Sequence, residues 1–106
     1  MKESIIKLYL DIFRSMQGLY LTMLTQVEGT ENYLISETRV WTDRFFLNQL
    51  LERFPEVISE IKWAKKLRWD CICHTREEHY NDMREIGMDV DAIFEKYNID
   101  IELIKK

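Results

Sequence analysis

Polar residues recur with a helical period through the first 27 residues of the chain. Their spacings of three and four residues place them on one stripe of a helix: Lys7, Asp11, Arg14, Gly18, Thr22 and Thr25. The apolar positions form two adjoining faces: Ile5, Tyr9, Ile12, Met16, Leu19, Met23 and Val27, then Ile6, Leu10, Phe13, Tyr20 and Leu24. We therefore predict a helix over residues 3–27 with a wider apolar arc than one surface helix needs.

A second helix is predicted after a break at residues 28–30. Gly29 suits a helix C-terminus and Thr30 suits the N-cap of the next helix. Residues 33–40 fit either a short strand or a helix, whereas the apolar residues that follow have helical spacing: Phe46, Leu47, Leu50, Leu51 and Phe54. We expect the helix to begin near Glu31, with the periodic pattern supporting it from Thr42 onward.

Pro55 ends the second helix and suits the first turn of the next one, because a prolyl nitrogen has no hydrogen to leave unpaired. Residues 56–86 contain no Gly or Pro, which predicts one long helix with a weak point at residues 71–75. Gly87 then stops the helix, and Asp89 caps a short helix that contains Val90, Ile93, Phe94 and Tyr97. The predicted fold is an all-α bundle of three long helices plus a short C-terminal helix, in a single domain over residues 1–106.

The composition narrows the class of protein. Apolar residues make up 46% and charged residues 32% of the 106 residues, with three Gly and one Pro, so neither a disordered chain nor a turn-rich β-fold is expected. The formal net charge of −4 repels phosphate backbones, so any nucleic-acid contact must come from a local patch. Charged residues within the apolar N-terminal stretch argue against a membrane span.

The two cysteines indicate a reducing compartment. Cys71 and Cys73 are two residues apart, and on a helix their side chains point roughly 200° apart, which does not allow a disulfide. We therefore predict free thiols and a cytoplasmic protein. Cys73 and His74 are adjacent and do not face each other on a helix, so they do not form a thiolate–imidazole pair. No catalytic motif occurs in the sequence, and we expect neither an enzyme nor a cofactor.

A weak metal-binding pattern lies in the same region. Cys71, His74 and Glu78 occupy positions i, i+3 and i+7, which is one face of a continuous helix. Structural zinc usually takes four ligands from two separated pairs, and the sequence has no second pair. We expect no metal here, and a metal-binding protein is the lesser alternative.

Residues 62–69 combine basic and aromatic side chains without an acid: Lys62, Trp63, Lys65, Lys66, Arg68 and Trp69. Such a segment can hold phosphates and stack bases, which makes a nucleic-acid-binding regulator the main alternative function. The other interpretation is a helix whose cations face water while its Trp and Leu residues pack inward, and the net charge of −4 favours it.

The breadth of apolar surface on the first helix favours protein binding. The candidate residues for a protein partner or for self-association are large apolar side chains on the first two helices: Tyr9, Phe13, Met16, Tyr20, Met23, Trp41 and Phe45. A two-fold homodimer would cover the excess apolar surface of the first helix. The alternative is that the first helix is central and is covered by the other helices of the same chain. We predict a small non-enzymatic regulator, adaptor or inhibitor whose protein partner the sequence does not identify.

Overall fold

The computed structural model describes residues 1–24, 29–68 and 75–96, apart from the side chain of Arg76. These residues form helices and contain no β-strand, which confirms the all-α prediction for this part of the chain. The helices are α1 (Lys2–Leu24), α2 (Glu31–Arg53), α3 (Pro55–Ile58), α4 (Arg76–Glu85) and α5 (Val90–Lys96). Their contacts divide into two units, Met1–Ile72 and Cys73–Lys106. A single domain over the whole chain stays a prediction.

Helices α1 and α2 form a hairpin in the first unit. Each has 23 residues and is therefore about 35 Å long at ~1.5 Å per residue. Gly29 has a positive φ of 85°, and Thr30 has the extended backbone of an N-cap, so the predicted break and the start at Glu31 are confirmed. The exposed positions of α1 include Lys7, Asp11 and the rest of the predicted polar stripe up to Thr22.

The hairpin buries one seam from each helix. The buried residues of α1 are Tyr9, Met16, Tyr20 and Met23, and those of α2 are Tyr33, Ser36, Glu37, Val40, Trp41, Arg44, Leu47 and Asn48. Both sets follow the three-and-four spacing of a helix, but the α2 set mixes apolar with polar side chains. Residues 33–40 are therefore helical, and their polar members had hidden the helical period.

The predicted helix over residues 56–86 is wrong as a continuous element. Pro55 does begin α3, as expected, but α3 ends at Ile58 after one turn. A turn follows in which the Ala64 N–H donates to the Ile61 carbonyl, and residues 64–68 have no regular structure. Burial of Ile61 and Leu67 and the contact of Leu67 with Asn48 hold this segment against the rest of the first unit. Tertiary contacts therefore override a helix-compatible sequence.

Residues 75–96 of the second unit contain two short helices with N-terminal caps. The Thr75 hydroxyl accepts from the Glu78 N–H at the start of α4. Gly87, with φ of 83°, ends the turn after α4, and an Asp89 carboxylate oxygen accepts from the Ala92 N–H at 3.1 Å. The predicted stop and cap are thus confirmed. The apolar core of this unit contains Tyr80, Met83, Ile86, Val90 and Phe94. Tyr97 lies outside the described residues.

No helix in residues 1–24, 29–68 or 75–96 is long and apolar enough to cross a membrane. Helix α1 has a suitable length, but Lys7, Asp11 and Arg14 interrupt its apolar sequence. Charged residues near the middle of a bilayer are unfavourable, which explains the result for this helix.

Candidate functional site

An apolar groove lies between α1 and α2 on the surface of the hairpin. Its volume is about 320 Å³. Its walls come from α1, from α2 and from the residue that follows α2: Leu8, Ile12, Phe45, Phe46, Gln49, Leu50, Arg53 and Phe54. We call this surface the hairpin groove. Leu8 and Ile12 lie one turn apart on α1, beside the buried seam rather than within it, which leaves them partly open to solvent.

Two large apolar side chains of the hairpin groove are unusually exposed. Leu8 is 47% exposed and Phe46 is 50% exposed, while Phe45 is half-buried with its ring 5.9 Å from that of Phe46. Full burial of such a side chain is worth about 1.5–3 kcal/mol, so covering the exposed half of one is worth roughly 1 kcal/mol. A contiguous exposed apolar patch of this kind indicates an interaction surface more strongly than isolated exposed residues do.

A second apolar surface follows the first half of α2. A shallow depression of about 530 Å³ is lined by Glu31, Leu34, Ile35, Thr38 and Arg39, all from the same helix. Leu34 and Ile35 are 50% and 49% exposed. Because one helix supplies all of its lining residues, this depression lacks the two walls of the hairpin groove.

Five of the seven residues predicted for protein binding lie in the interior of the hairpin: Tyr9, Met16, Tyr20, Met23 and Trp41. A partner cannot contact them while the hairpin is closed. Phe13 is half-buried, with its ring 4.6 Å from that of Trp63, and Phe45 lines the hairpin groove. The remaining apolar groove residues were absent from the predicted site: Leu8 and Ile12 of α1, Phe46 and Leu50 of α2, and Phe54 after the end of α2.

A buried polar cluster connects α2 with both of its neighbours. The Arg44 guanidinium is fully buried; its Nε and Nη2 donate to the Tyr20 hydroxyl at 3.1 and 2.9 Å. Its Nη1 donates to the Arg68 carbonyl at 3.1 Å, and its centre lies 5.2 Å from the Trp41 ring. Hydrogen bonds to a charged donor are stronger than neutral ones, so Arg44 ties α1, α2 and the segment at residue 68 together.

Asn48 provides a second connection to the same segment. Its Nδ2 donates to the Leu67 carbonyl at 2.5 Å, and its Oδ1 accepts from the Leu67 N–H at 2.7 Å. One side-chain amide thus satisfies both backbone groups of a buried residue that belongs to no helix. This arrangement fixes the backbone of residues 66–68 on α2, since buried backbone groups require hydrogen-bond partners.

The segment held in this way carries the predicted nucleic-acid-binding residues. We call residues 61–68 the basic segment. Lys62, Lys65, Lys66 and Arg68 are exposed, and Trp63 is 50% exposed while contacting the rings of Phe13 and Tyr9. The helix of the alternative interpretation is wrong for these residues, because the segment is not helical, but the exposed cations and the inward-packed Leu67 agree with that interpretation. Trp69 lies outside the described residues.

The weak metal-binding pattern loses its helical basis. Cys71, Cys73 and His74 lie outside the described residues, and Glu78 is exposed in the first turn of α4. Thr75 has an extended backbone, with ψ of 165°, so no continuous helix runs through it. Spacings of i, i+3 and i+7 therefore do not place these residues on one helical face. The described ranges contain no group of three metal-ligating side chains.

Asp43 on α2 is an acidic group whose pKa is shifted by its surroundings. Burial raises the pKa of the Asp43 carboxyl, and a hydrogen bond with Ser15 and the charge of Arg39 oppose that rise. The rise indicates that desolvation of the charged form is the largest effect at this site.

Comparison with family models, curated proteins and solved structures gives no match. The function must therefore be inferred from the two surfaces of the first unit, the hairpin groove and the basic segment.

Proposed function

We propose that this chain is a small, non-enzymatic regulatory, adaptor or inhibitor protein of the cytoplasm that acts by protein binding through its α1–α2 hairpin. We further propose that a second copy of the chain occupies the hairpin groove. The observation that carries this proposal is the half-exposure of Leu8 and Phe46 beside an apolar concavity. Exposed side chains of this size are enriched where a partner covers them.

The groove combines the two features that a symmetric contact requires. In a two-fold dimer the same patch is used by both copies, so a protruding residue must meet a depression within that patch. Phe46 stands at the rim of a groove whose other wall includes Leu8 and Ile12. A two-fold axis beside the groove would place Phe46 of each copy against α1 of the other, giving a four-helix arrangement.

The available area is sufficient for a stable dimer. Two adjacent helices about 35 Å long, with a combined width of about 20 Å, present a face on the order of 700 Å². Standard interfaces bury about 800 Å² from each partner. Partly exposed apolar residues elsewhere on α1, including Ile5 and Leu19, would extend the buried patch beyond the groove itself.

The experiment compares two double variants by analytical ultracentrifugation. Leu8→Asp with Phe46→Asp places charges in the groove, and Leu34→Asp with Ile35→Asp places the same charges on residues of matching exposure outside it. We expect a dimer for the wild-type chain and for the second variant, and a monomer for the groove variant. A monomeric wild-type chain at micromolar concentration, or equal dissociation of both variants, would contradict self-association.

The wider role is tested with the same pair of variants. Affinity capture from the native host, with nuclease treatment and mass spectrometry, should yield a protein that the Leu34/Ile35 variant retains and the Leu8/Phe46 variant loses. If both variants capture the same proteins in equal amounts, a binding role for the hairpin groove is contradicted.

A further inference from the structure

We propose that the basic segment is a binding site for single-stranded nucleic acid, in which the four cations contact phosphates and Trp63 stacks on a base. This activity is separate from protein binding at the hairpin groove. The supporting observations are the fixed backbone of the segment, its four exposed cations and its partly exposed aromatic ring.

The backbone of the basic segment is held in place before any ligand arrives. The Asn48 amide binds both backbone groups of Leu67, and Arg44 binds the carbonyl of Arg68. Ile61 and Leu67 are buried, so the segment is anchored near both of its ends. Because the backbone is already ordered, binding loses less conformational entropy than it would with a free lysine-rich tail.

The positive charge of the basic segment is not neutralised from within. Residues 61–68 contain four cations and no acid, and the preceding acid, Glu60, forms an ion pair with Lys2. The turn from Ile61 to Ala64 places Lys62 and Trp63 together at its two central positions. A phosphate and its adjoining base could therefore be held by consecutive side chains.

The charge of the remaining chain selects a single strand as the ligand. The net charge of −4, less the +4 of the basic segment, leaves −8 on the other residues. A duplex or an anionic membrane presents a broad charged surface that those acids would repel. A single strand can contact a short segment with only a few of its phosphates, so it meets less of this repulsion. Sequence-tolerant binding of this kind is typical of cationic grooves that contain an exposed aromatic ring.

Trp63 distinguishes this site from a cationic patch that binds any polyanion. Its ring lies 4.6 Å from Phe13 and 6.0 Å from Tyr9, between centroids, and half of its surface remains exposed. An aromatic side chain supported on one side and open on another is suited to base stacking. An acidic peptide would gain little from that ring.

The experiment measures fluorescence anisotropy of a short labelled oligo(dT) with the full chain over a range of salt concentrations. Four phosphate contacts predict a slope of log K against log salt of about −2.8 for a single strand. Changing Lys62, Lys65, Lys66 and Arg68 to Gln should weaken binding at least about tenfold and flatten the slope. The matched control changes four other exposed cations, Lys7, Arg14, Arg39 and Lys96, to Gln and should retain the wild-type slope.

Trp63 variants separate stacking from charge. Trp63→Leu should reduce affinity about tenfold without changing the salt slope, whereas Trp63→Phe should retain most of the affinity. Far-ultraviolet circular dichroism checks that each variant is folded. Three results would overturn the proposal. They are no binding at low salt, equal loss of affinity in both charge variants, and equal affinity for a duplex, heparin or anionic vesicles that does not depend on Trp63. Retained binding by the Leu8/Phe46 variant would keep this site distinct from the groove.

Discussion

Replacement of Asn48 by alanine should release the basic segment from α2. The variant removes two hydrogen bonds to the backbone of Leu67, at 2.5 and 2.7 Å. If Leu67 stays buried, its N–H and C=O lose their partners at a cost of about 1–3 kcal/mol each. If the segment detaches, burial of the Leu67 side chain is lost instead, at about 1.5–3 kcal/mol, together with the net value of the two bonds. We expect an overall loss of about 2–6 kcal/mol.

Asn32→Ala is the matched control, because Asn32 is exposed on the same helix and the substitution is the same. Alanine is the better helix former, so this control measures the gain of a few tenths of a kcal/mol from helix propensity alone. The free energy of unfolding is obtained from urea titrations. Trypsin supplies a second measurement, since it cleaves after Lys65, Lys66 and Arg68 only when the backbone can detach.

The expected result is a lower unfolding free energy and faster cleavage within the basic segment for Asn48→Ala alone. If the two variants differ by less than about 0.5 kcal/mol and are cleaved at equal rates, the Asn48 amide does not hold the segment and the preorganisation inferred for it is refuted.

Two further predictions concern the first unit. Because burial raises the pKa of Asp43, the folded state binds a proton more tightly than the unfolded state, and this contribution to stability is lost as pH rises through the folded-state pKa. Asp43→Asn should therefore raise the melting temperature at pH 7 more than at pH 4, and a lower melting temperature at pH 7 would contradict this. Gly29→Ala should destabilise the protein by about 1–2 kcal/mol, because the φ of Gly29 is positive. Gly18→Ala should stabilise it by about 0.5–1 kcal/mol, because Gly18 lies within α1 with open space around it. If both variants shift the melting temperature in the same direction, the assigned conformations are contradicted.

The elements with local signals were predictable from the sequence. The polar stripe of α1, the break at Gly29, the proline at the start of α3 and the Asp89 cap each depend on neighbours within a few residues. Backbone geometry and helical periodicity act over that same range. The structure therefore agrees with the predicted start, stop or exposed face at each of these positions.

Helix α2 shows where an apolar pattern is insufficient. Its buried seam includes Glu37, Arg44 and Asn48, so a count of apolar residues misses half of the face that packs inward. For Arg44 and Asn48, α1 and the basic segment supply the partners, including the Tyr20 hydroxyl and the Leu67 backbone. Such partners are distant in sequence, which is why the apolar pattern alone did not separate the buried Leu47 from the exposed Phe46.

The sequence by itself determined that this protein is helical, where α1, α2 and α5 begin, and that the basic and aromatic residues at 62–68 stand apart in composition. The tertiary structure decided that α3 ends at Ile58, so that residues 62–68 lie outside any helix. It also decided that Tyr9 and Trp41 are in the core rather than at the surface, and that Leu8 and Phe46 border an open groove. The physical reason is range: helix propensity and capping act between near neighbours, whereas burial and the hydrogen bonds of Arg44 and Asn48 join residues 19 and 24 positions apart.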